Sequence, residues 1–369
     1  MNAALSHNKS RTKPLIWLIA ACLGILAFAG LAQVAIGSYG MSMRQALSTL
    51  LDGQVWGHPG VLLRFLGGEG FAHALGLAPG EPLATSTLIV WNVRLPRVLV
   101  GILVGINLAF SGSIFQAITR NELASPYLLG VSSGAGLGVI LVLVVFPALS
   151  LFLPLIAMLG GGIAFLIVYT IAWNRGTSPV RLVLAGVIVA AIAGSLQTGL
   201  FFLASDLTVM QNALAWTTGS LTGVGWEQVR MVAPWTLISV ILAFAGSRYL
   251  DVLMLGDPTA RALGMSVERV RFVLAATAII AAGSAVAVAG LVGFVGLIVP
   301  HVVRSLVGSQ HQRLLLGCLF AGPALLVSAD AGARLAFNPV QVPVGIVTGI
   351  LGGLFFLYLM RRRADIGKL

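Results

Sequence analysis

The sequence predicts an all-α integral membrane protein of about ten transmembrane helices, and three observations carry that expectation. Of its 369 residues 58% are hydrophobic and 9% charged, with a mean hydropathy of +1.00, whereas a soluble domain carries about 25% charge. The apolar residues gather into runs long enough to cross a hydrocarbon core of about 30 Å, with polar turns between them. Ten such spans place both termini on one side, and the 22 Lys and Arg residues then divide sixteen to six in favour of that side, the bias of cytoplasmic loops. The net charge of +11 is scattered over short turns and gathers on no single face, so topology accounts for it better than nucleic acid does. Cys22 and Cys318 both sit in apolar runs and build no disulfide framework. Glycine contributes 45 residues, roughly 12% against an average of about 7%, as expected where helix backbones approach closely in lipid.

Residues 1–13 form a basic cytoplasmic tail (Lys9, Arg11, Lys13), and residues 14–36 form the first span. The apolar region of a cleaved signal peptide would be shorter, about 7 to 15 residues. Residues 37–96 make the longest outer segment, with a surface helix from Ser42 to Leu51 followed by glycine, proline and histidine punctuation. His58 and His73 stand alone there and read as solvated, since a metal site needs several ligands at defined spacing. Arg94-Leu95-Pro96-Arg97 closes the segment and opens the span Val98 to Ile118.

The next spans are Tyr127 to Phe146, Ser150 to Trp173 and Arg181 to Ala204, with the short basic turn Asn174-Arg175 between the last two. Ser195, Gln197 and Thr198 on the fifth span serve either a conduit or bonds between helices, and both readings stand. Ser205 to Arg230 returns outside, its Trp216 and Trp226 placed as interface anchors. Met231 to Ser247 then delivers the longest polar interruption of the second half, residues 248–271. Here Asp257 is placed to cap a short helix beginning at Pro258, Gly264 to end it, and Ser266 to cap the next. With Ala260 and Ala262 the stretch suits either an ordinary cytoplasmic loop or a compact knob that fits a groove on a soluble partner.

Phe272 to Pro300 is uncharged and too long for one span, so Gly290, Gly293 and Gly296 suggest a break before a span Leu291 to Val307. His301 within it reads first as a structural hydrogen-bonding group. Leu314 to Ala329 ends in Asp330 and Arg334, four apart on one helical face and suited to a local ion pair. Pro343 to Met360 descends to Arg361, Arg362 and Arg363, and residues 364–369 complete a second cytoplasmic tail of what reads as one transmembrane unit, 14–363.

Function classes narrow from what the chain lacks. Its only lysines are Lys9, Lys13 and Lys368, and no Gly-x-x-x-x-Gly-Lys-Ser/Thr occurs, so it has no phosphate-binding loop of its own. An ion-coupled carrier normally keeps an ionisable group at mid-membrane depth, and all eleven acids fall in turns or near span ends. A secondary transporter and a non-transporting receptor are the alternatives to a transporter with borrowed ATPase activity. No carboxylate pair, metal cluster or nucleophile constellation points to an enzyme.

Several motif blocks resemble one family: Arg94-Leu95-Pro96-Arg97; Gly112, Phe115-Gln116, Arg120-Asn121, Leu123-Ala124-Ser125-Pro126 and Leu128-Leu129-Gly130-Val131-Ser132; Leu255-Gly256, Ala260 and Leu263-Gly264; and Gly293 to Arg304. These resemble the permease subunits of the ABC importers for ferric siderophores, haem and cobalamin, over roughly residues 90 to 365. The resemblance implies the type II ABC importer permease fold, an inverted repeat relating spans two to five and seven to ten. It implies that Arg94, Arg97 and Arg334 pair with acids on a substrate-binding protein. The platform would sit on an ATPase subunit, with Gly256, Asp257, Ala260, Arg261, Leu263 and Gly264 transmitting its closure. Spans five and ten would line the pathway, with Ser195, Gln197, Thr198, Val344 and Thr348 as candidate lining residues. Implied partners are a pair of ABC ATPase subunits carrying the ATP and Mg, a substrate-binding protein, a second permease copy or close paralogue, and membrane lipid. No cofactor, metal or nucleic acid is implied for this chain, and the implied location is a bacterial cytoplasmic membrane. Two positions depart from the family pattern: Glu122 replaces the usual proline, and Gln341 the frequent glutamate.

Overall fold

The computed structural model describes residues 12–35, 39–77, 83–173, 179–203, 207–337 and 340–366. Most of the amino-terminal tail, the Asn174-Arg175 turn and the last three residues lie outside that set. Among the described residues an apolar helix stands, in order, at each of the ten expected spans. Seven helices are long and apolar enough to cross a membrane, and Val131–Val145, Val295–Val307 and Val344–Leu359 are shorter apolar helices.

The elements are α1 (Thr12–Ala35); α2 to α6 in the expected outer segment (Met43–Leu50, Gly53–Trp56, Pro59–Gly67, Glu69–Ala74, Thr85–Ile89); α7 (Leu95–Thr119); α8 (Val131–Val145); α9 (Leu153–Ala172); α10 (Pro179–Phe201); α11 (Leu207–Thr218); α12 (Trp226–Met254); α13 (Asp257–Ala262); α14 (Val267–Ala289); α15 (Val295–Val307); α16 (His311–Phe337); and α17 (Val344–Ile366). The surface helix expected from Ser42 is α2, with Ser42 and Gln45 bonded reciprocally in a capping box. Three of the four short helices after it hold glycine or proline that reads as loop punctuation.

Helix α7 is the axis of the bundle. Its apolar residues run all round it, so neighbours cover it on every side, and α12, α14, α15 and α16 pack against it. Apolar surface alone gives helices no reason to associate in lipid, so polar contacts fix the register. Asn107 donates to Thr236 on α12 at 2.8 Å and to Ser284 on α14 at 3.1 Å, and the Ser111 hydroxyl donates to the Ala278 carbonyl at 2.8 Å. Glycines set the closest crossings, as the composition suggests. A Cβ on Gly112 would lie 1.7 Å from the Gly296 carbonyl oxygen, so α7 and α15 touch backbone to backbone.

The uncharged stretch breaks where expected, at Gly290 (φ 69°). Residues 290–294 are non-helical, and backbone hydrogen bonds tie the break and its flanks to neighbouring segments, as an apolar setting requires. Leu291 N–H donates to the Trp216 carbonyl at 2.8 Å, Ser220 N–H to the Ala289 carbonyl at 2.8 Å, and Gly345 N–H to the Gly219 carbonyl at 2.9 Å. Helices α8 and α15, of 15 and 13 residues, are about 22 and 20 Å long and do not cross about 30 Å unaided. The third span is thus shorter than Tyr127 to Phe146. Its first residues form a turn in which Ser132 N–H donates back to the Pro126 carbonyl, closed by Gly130 at φ 75°.

Three local expectations are corrected. The cap of α13 is Gly256 at φ 95°, and Asp257 lies inside the helix, which frees its carboxylate for ion pairing. Ser266 caps α14 by position without a side-chain hydrogen bond. Trp226 is no interface anchor: it is buried, donates to the Trp91 carbonyl at 2.7 Å and neighbours Phe65. The π-helical turn Val90–Arg94 carries Trp91 inward to meet it.

Candidate functional site

The two candidate sites stand at opposite ends of α7, whose 25 residues span about 37 Å. At its start, Arg97 meets Asp330 of α16 in a two-point ion pair, Nε to Oδ2 at 2.8 Å and Nη2 to Oδ1 at 2.7 Å. Gln33 of α1 donates to the same Asp330 Oδ2 at 2.7 Å and to the Val327 carbonyl at 3.1 Å. Gln341, at one of the departures from the family pattern, accepts from Arg97 at 3.3 Å. Arg94 donates to the Val34, Ala35 and Tyr39 carbonyls, closing the carboxyl end of α1. Arg334 donates to the Gln33 carbonyl at 3.4 Å.

The expected docking arginines are therefore gathered at one end, but Arg94 and Arg97 are buried and bonded within the chain, and Arg334 is half-buried. They do not stand out as free charges. Asp330 faces Arg97 across the bundle instead of forming only the local pair with Arg334. The physical reason is Gln33: a lone amide in the first apolar run, with α1 packed on α16, it completes a polar cluster that reading one helix at a time could not assemble.

At the other end, the platform stands free of the bundle on one face and is bolted to it on the other. Leu255 and Leu263 are 60% and 64% exposed, and Arg261 and Gly264 share that exposure while Ala260 is buried beneath. Gly264 at φ 82° makes the expected left-handed exit. Asp257 points inward and accepts from Arg271 of α14 at 3.0 and 3.1 Å. Arg271, 1% exposed, also meets Glu268 at 3.3 Å, and Glu268 accepts from the Tyr169 hydroxyl of α9 at 2.6 Å. Arg120, the left-handed end of α7, reaches Asp257 at 3.6 Å.

The adjoining turn is also held. Glu122 pairs with His301 at 3.4 Å and Arg304 at 3.5 Å, and Arg304 donates to Gln116 at 3.0 Å. The glutamate that replaces the usual proline thus ties the turn to α15 through Arg304, and the His301 ring, read first as a structural hydrogen-bonding group, stands beside the same carboxylate and edge-on to Phe355 at 5.9 Å. Residue-by-residue reading singled out neither Arg120 nor Tyr169 for these roles. A visible signal existed for Arg120, a lone charge directly after an apolar run.

The candidate pathway residues divide. Ser195 and Thr198 lie on the exposed side of α10, their hydroxyls donating to the Ala191 and Gly194 carbonyls at 3.0 Å. Gln197 is buried and donates to the Ser133 carbonyl of α8 at 2.7 Å, which is the helix-bonding alternative. Val344 and Thr348 are buried as well. A cavity of about 510 Å³ lies instead against the helix break, lined by Tyr127, Thr217, Thr218, Leu291, Phe294 and Gly345 among others. Phe294 holds a left-handed conformation (φ 66°) that is rare for a bulky residue.

Residues 25–362 match the model of the FecCD transport family. The chain belongs to the FecCD transport family. It is 42% identical to the Fe(3+)-citrate import system permease protein YfmD of Bacillus subtilis over 76% of this chain and 83% of that protein. It is 39% identical to the hemin transport system permease protein HmuU of Yersinia pestis, over 75% and 84%. It is 36% identical to the ferric enterobactin transport system permease protein FepG of Escherichia coli, over 83% and 91%. Among solved structures, an inward-facing metal-chelate type ABC transporter overlays 93% of this chain and 98% of its own, with a TM-score of 0.74 and 26% identity. This family member is therefore a multi-pass permease subunit of an ABC importer, and ATP hydrolysis belongs to a separate subunit.

Proposed function

We propose that this permease carries a ferric siderophore across a bacterial cytoplasmic membrane, both termini inside, as half of a homodimer or of a pair with a close paralogue. Haem is the second cargo on this reading and cobalamin the third. The observation that carries the mechanism is the platform: two exposed leucines on a knob whose other face is pinned by Asp257 to Arg271 and Arg120. An exposed apolar knob on a rigid mount fits a groove on a soluble ATPase subunit. Closure of the ATPase pair around ATP and Mg would push the knob, and the pins pass the push to α7 and α14. The break at 290–294 and the cavity beside it form the wall of the conduit, which a second copy closes. A substrate-binding protein docks at the arginine end, near Arg334, with Arg94 and Arg97 shaping the helix ends beneath it.

Vesicles holding the permease, its ATPase subunits and its binding protein test the reading. Ferric siderophore uptake is expected only with ATP and all components present. Uphill uptake by the permease alone on a proton gradient would overturn it. Leu263→Glu is expected to weaken ATPase association about tenfold or more while leaving the permease folded.

A further inference from the structure

The arginine end holds a second feature that the proposed cycle leaves unused. Between the short helices α4 and α5 and the start of α12 lies a cavity of about 490 Å³, lined among others by Arg64, Phe65, Gly68, Asn92, Trp226 and Arg230. Its size falls in the range of small-molecule sites, about 300 to 1,000 Å³. Both arginines are incompletely satisfied. Arg64 donates from Nη2 to the Leu77 carbonyl at 3.3 Å, but its buried Nε has no hydrogen-bond partner. Arg230 donates from Nη1 to the Phe65 carbonyl at 3.0 Å and is otherwise exposed. Glu69, which also lines the cavity, stands 3.9 Å from Arg64 and is 85% exposed, so water screens most of its attraction.

The rest of the wall is preorganised. Phe65 stacks on Trp91 at 5.4 Å between ring centroids and lies 6.3 Å from Trp226. Gly68 has no side chain to cover Arg230, whose guanidinium carbon would lie 3.5 Å from a Cβ there. Asn92 adds an exposed amide. Guanidinium groups match carboxylates at two points each, and two of them on one partly apolar cavity select an anion with more than one carboxylate.

We propose that this cavity is a binding site for a small organic polycarboxylate, held by Arg64 and Arg230 against the Phe65 and Trp226 wall. The site stands whether or not the importer cycle proposed above is right, because it is read from this chain alone. Citrate and glutarate, with acetate as the one-carboxylate control, are titrated into the full chain in lipid nanodiscs, followed by tryptophan fluorescence and calorimetry. Saturable binding of citrate or glutarate at least tenfold tighter than acetate is expected. R64Q/R230Q is expected to weaken it at least tenfold with an unchanged melting profile. Asn92→Asp, which keeps both arginines and their carbonyl bonds, is expected to weaken it as well by adding a competing charge. Three results would overturn the proposal: no saturable binding by either polycarboxylate, binding that survives in both variants, or variants that weaken docking of the binding protein while citrate has no effect on the wild type. The last would make the arginines a protein-docking surface.

Discussion

Arg97 and Asp330, 233 residues apart in sequence, meet in a two-point ion pair at 2.7 and 2.8 Å that joins the start of α7 to the end of α16. Gln33 of α1 donates to the same carboxylate, so three helices distant in sequence share one buried acid. A charge taken out of water is stable only while its partners hold it, and removing one leaves the other exposed to the full desolvation penalty. The cluster therefore acts as a lock at one end of the bundle, as the Asp257 cluster does at the other.

Asp330→Ala follows from that asymmetry. It strands Arg97 and is expected to destabilise the folded chain by about 3 to 5 kcal/mol. Pairing it with Arg97→Met removes the stranded charge and should recover most of the loss. Thermal unfolding of the purified single and double variants in detergent checks both, and a double variant no better than the single would mean the ion pair is not the source of the effect.

The platform gives a prediction of a different kind, because Asp257 joins two helices and not merely two side chains. Asp257→Asn keeps the shape and drops the charge, weakening the pairs to Arg271 and Arg120. On the proposed mechanism the exposed knob is untouched, so ATPase subunits are expected to bind as before while their movement is less faithfully passed to α7 and α14. The expected result is a several-fold fall in substrate transported per ATP hydrolysed, with hydrolysis itself retained. Simultaneous measurement of uptake and phosphate release in vesicles decides it; parallel loss of both would point to a failure of assembly.

How much of this was legible beforehand follows from the range of each interaction. Span number and order were set by local hydropathy, so the ten helices emerge in sequence, down to the break at Gly290. The motif at Leu255 to Gly264 marked the knob, since its turn chemistry is local too. The cap of α13 slipped by one residue because a left-handed glycine at 256 replaced the side-chain cap expected of Asp257. What stayed hidden was pairing across the bundle: Arg97 with Asp330, Gln197 with Ser133, Glu122 with Arg304. Each polar side chain was read on its own helix, Asp330 as a local partner of Arg334 and Gln197 as serving either a conduit or a bond between helices, and in an apolar medium each found a polar group on a neighbour.

Close backbone contact predicts an outcome at Gly112. Any Cβ there would meet the Gly296 carbonyl oxygen at 1.7 Å, and backbone has little room to yield. Gly112→Val should force α7 and α15 apart at a cost of about 1 to 3 kcal/mol or more. A loss of monodisperse folded protein in size-exclusion chromatography is expected. Gly162→Ala, at a position with open space around it, serves as the control and should behave as wild type.

The last prediction separates packing from pathway on a single helix. Gln197 is buried and bonded to the Ser133 carbonyl, so Gln197→Leu removes a bond between α8 and α10 while that carbonyl keeps its bond within the α8 ladder. That costs about 0.5 to 1.5 kcal/mol, and uptake per folded molecule should stay near the wild-type value. Ser195 lies two residues away on the exposed side, its hydroxyl bonded only one turn back, so Ser195→Trp should leave stability nearly unchanged. If the exposed side of α10 faces the conduit, the added indole narrows it and uptake falls at least several-fold. If that side faces lipid, the indole is accommodated and uptake continues. Melting temperature and initial uptake rate, measured on both variants, place each residue independently, and a variant pair that loses stability and transport together would remove α10 from the pathway.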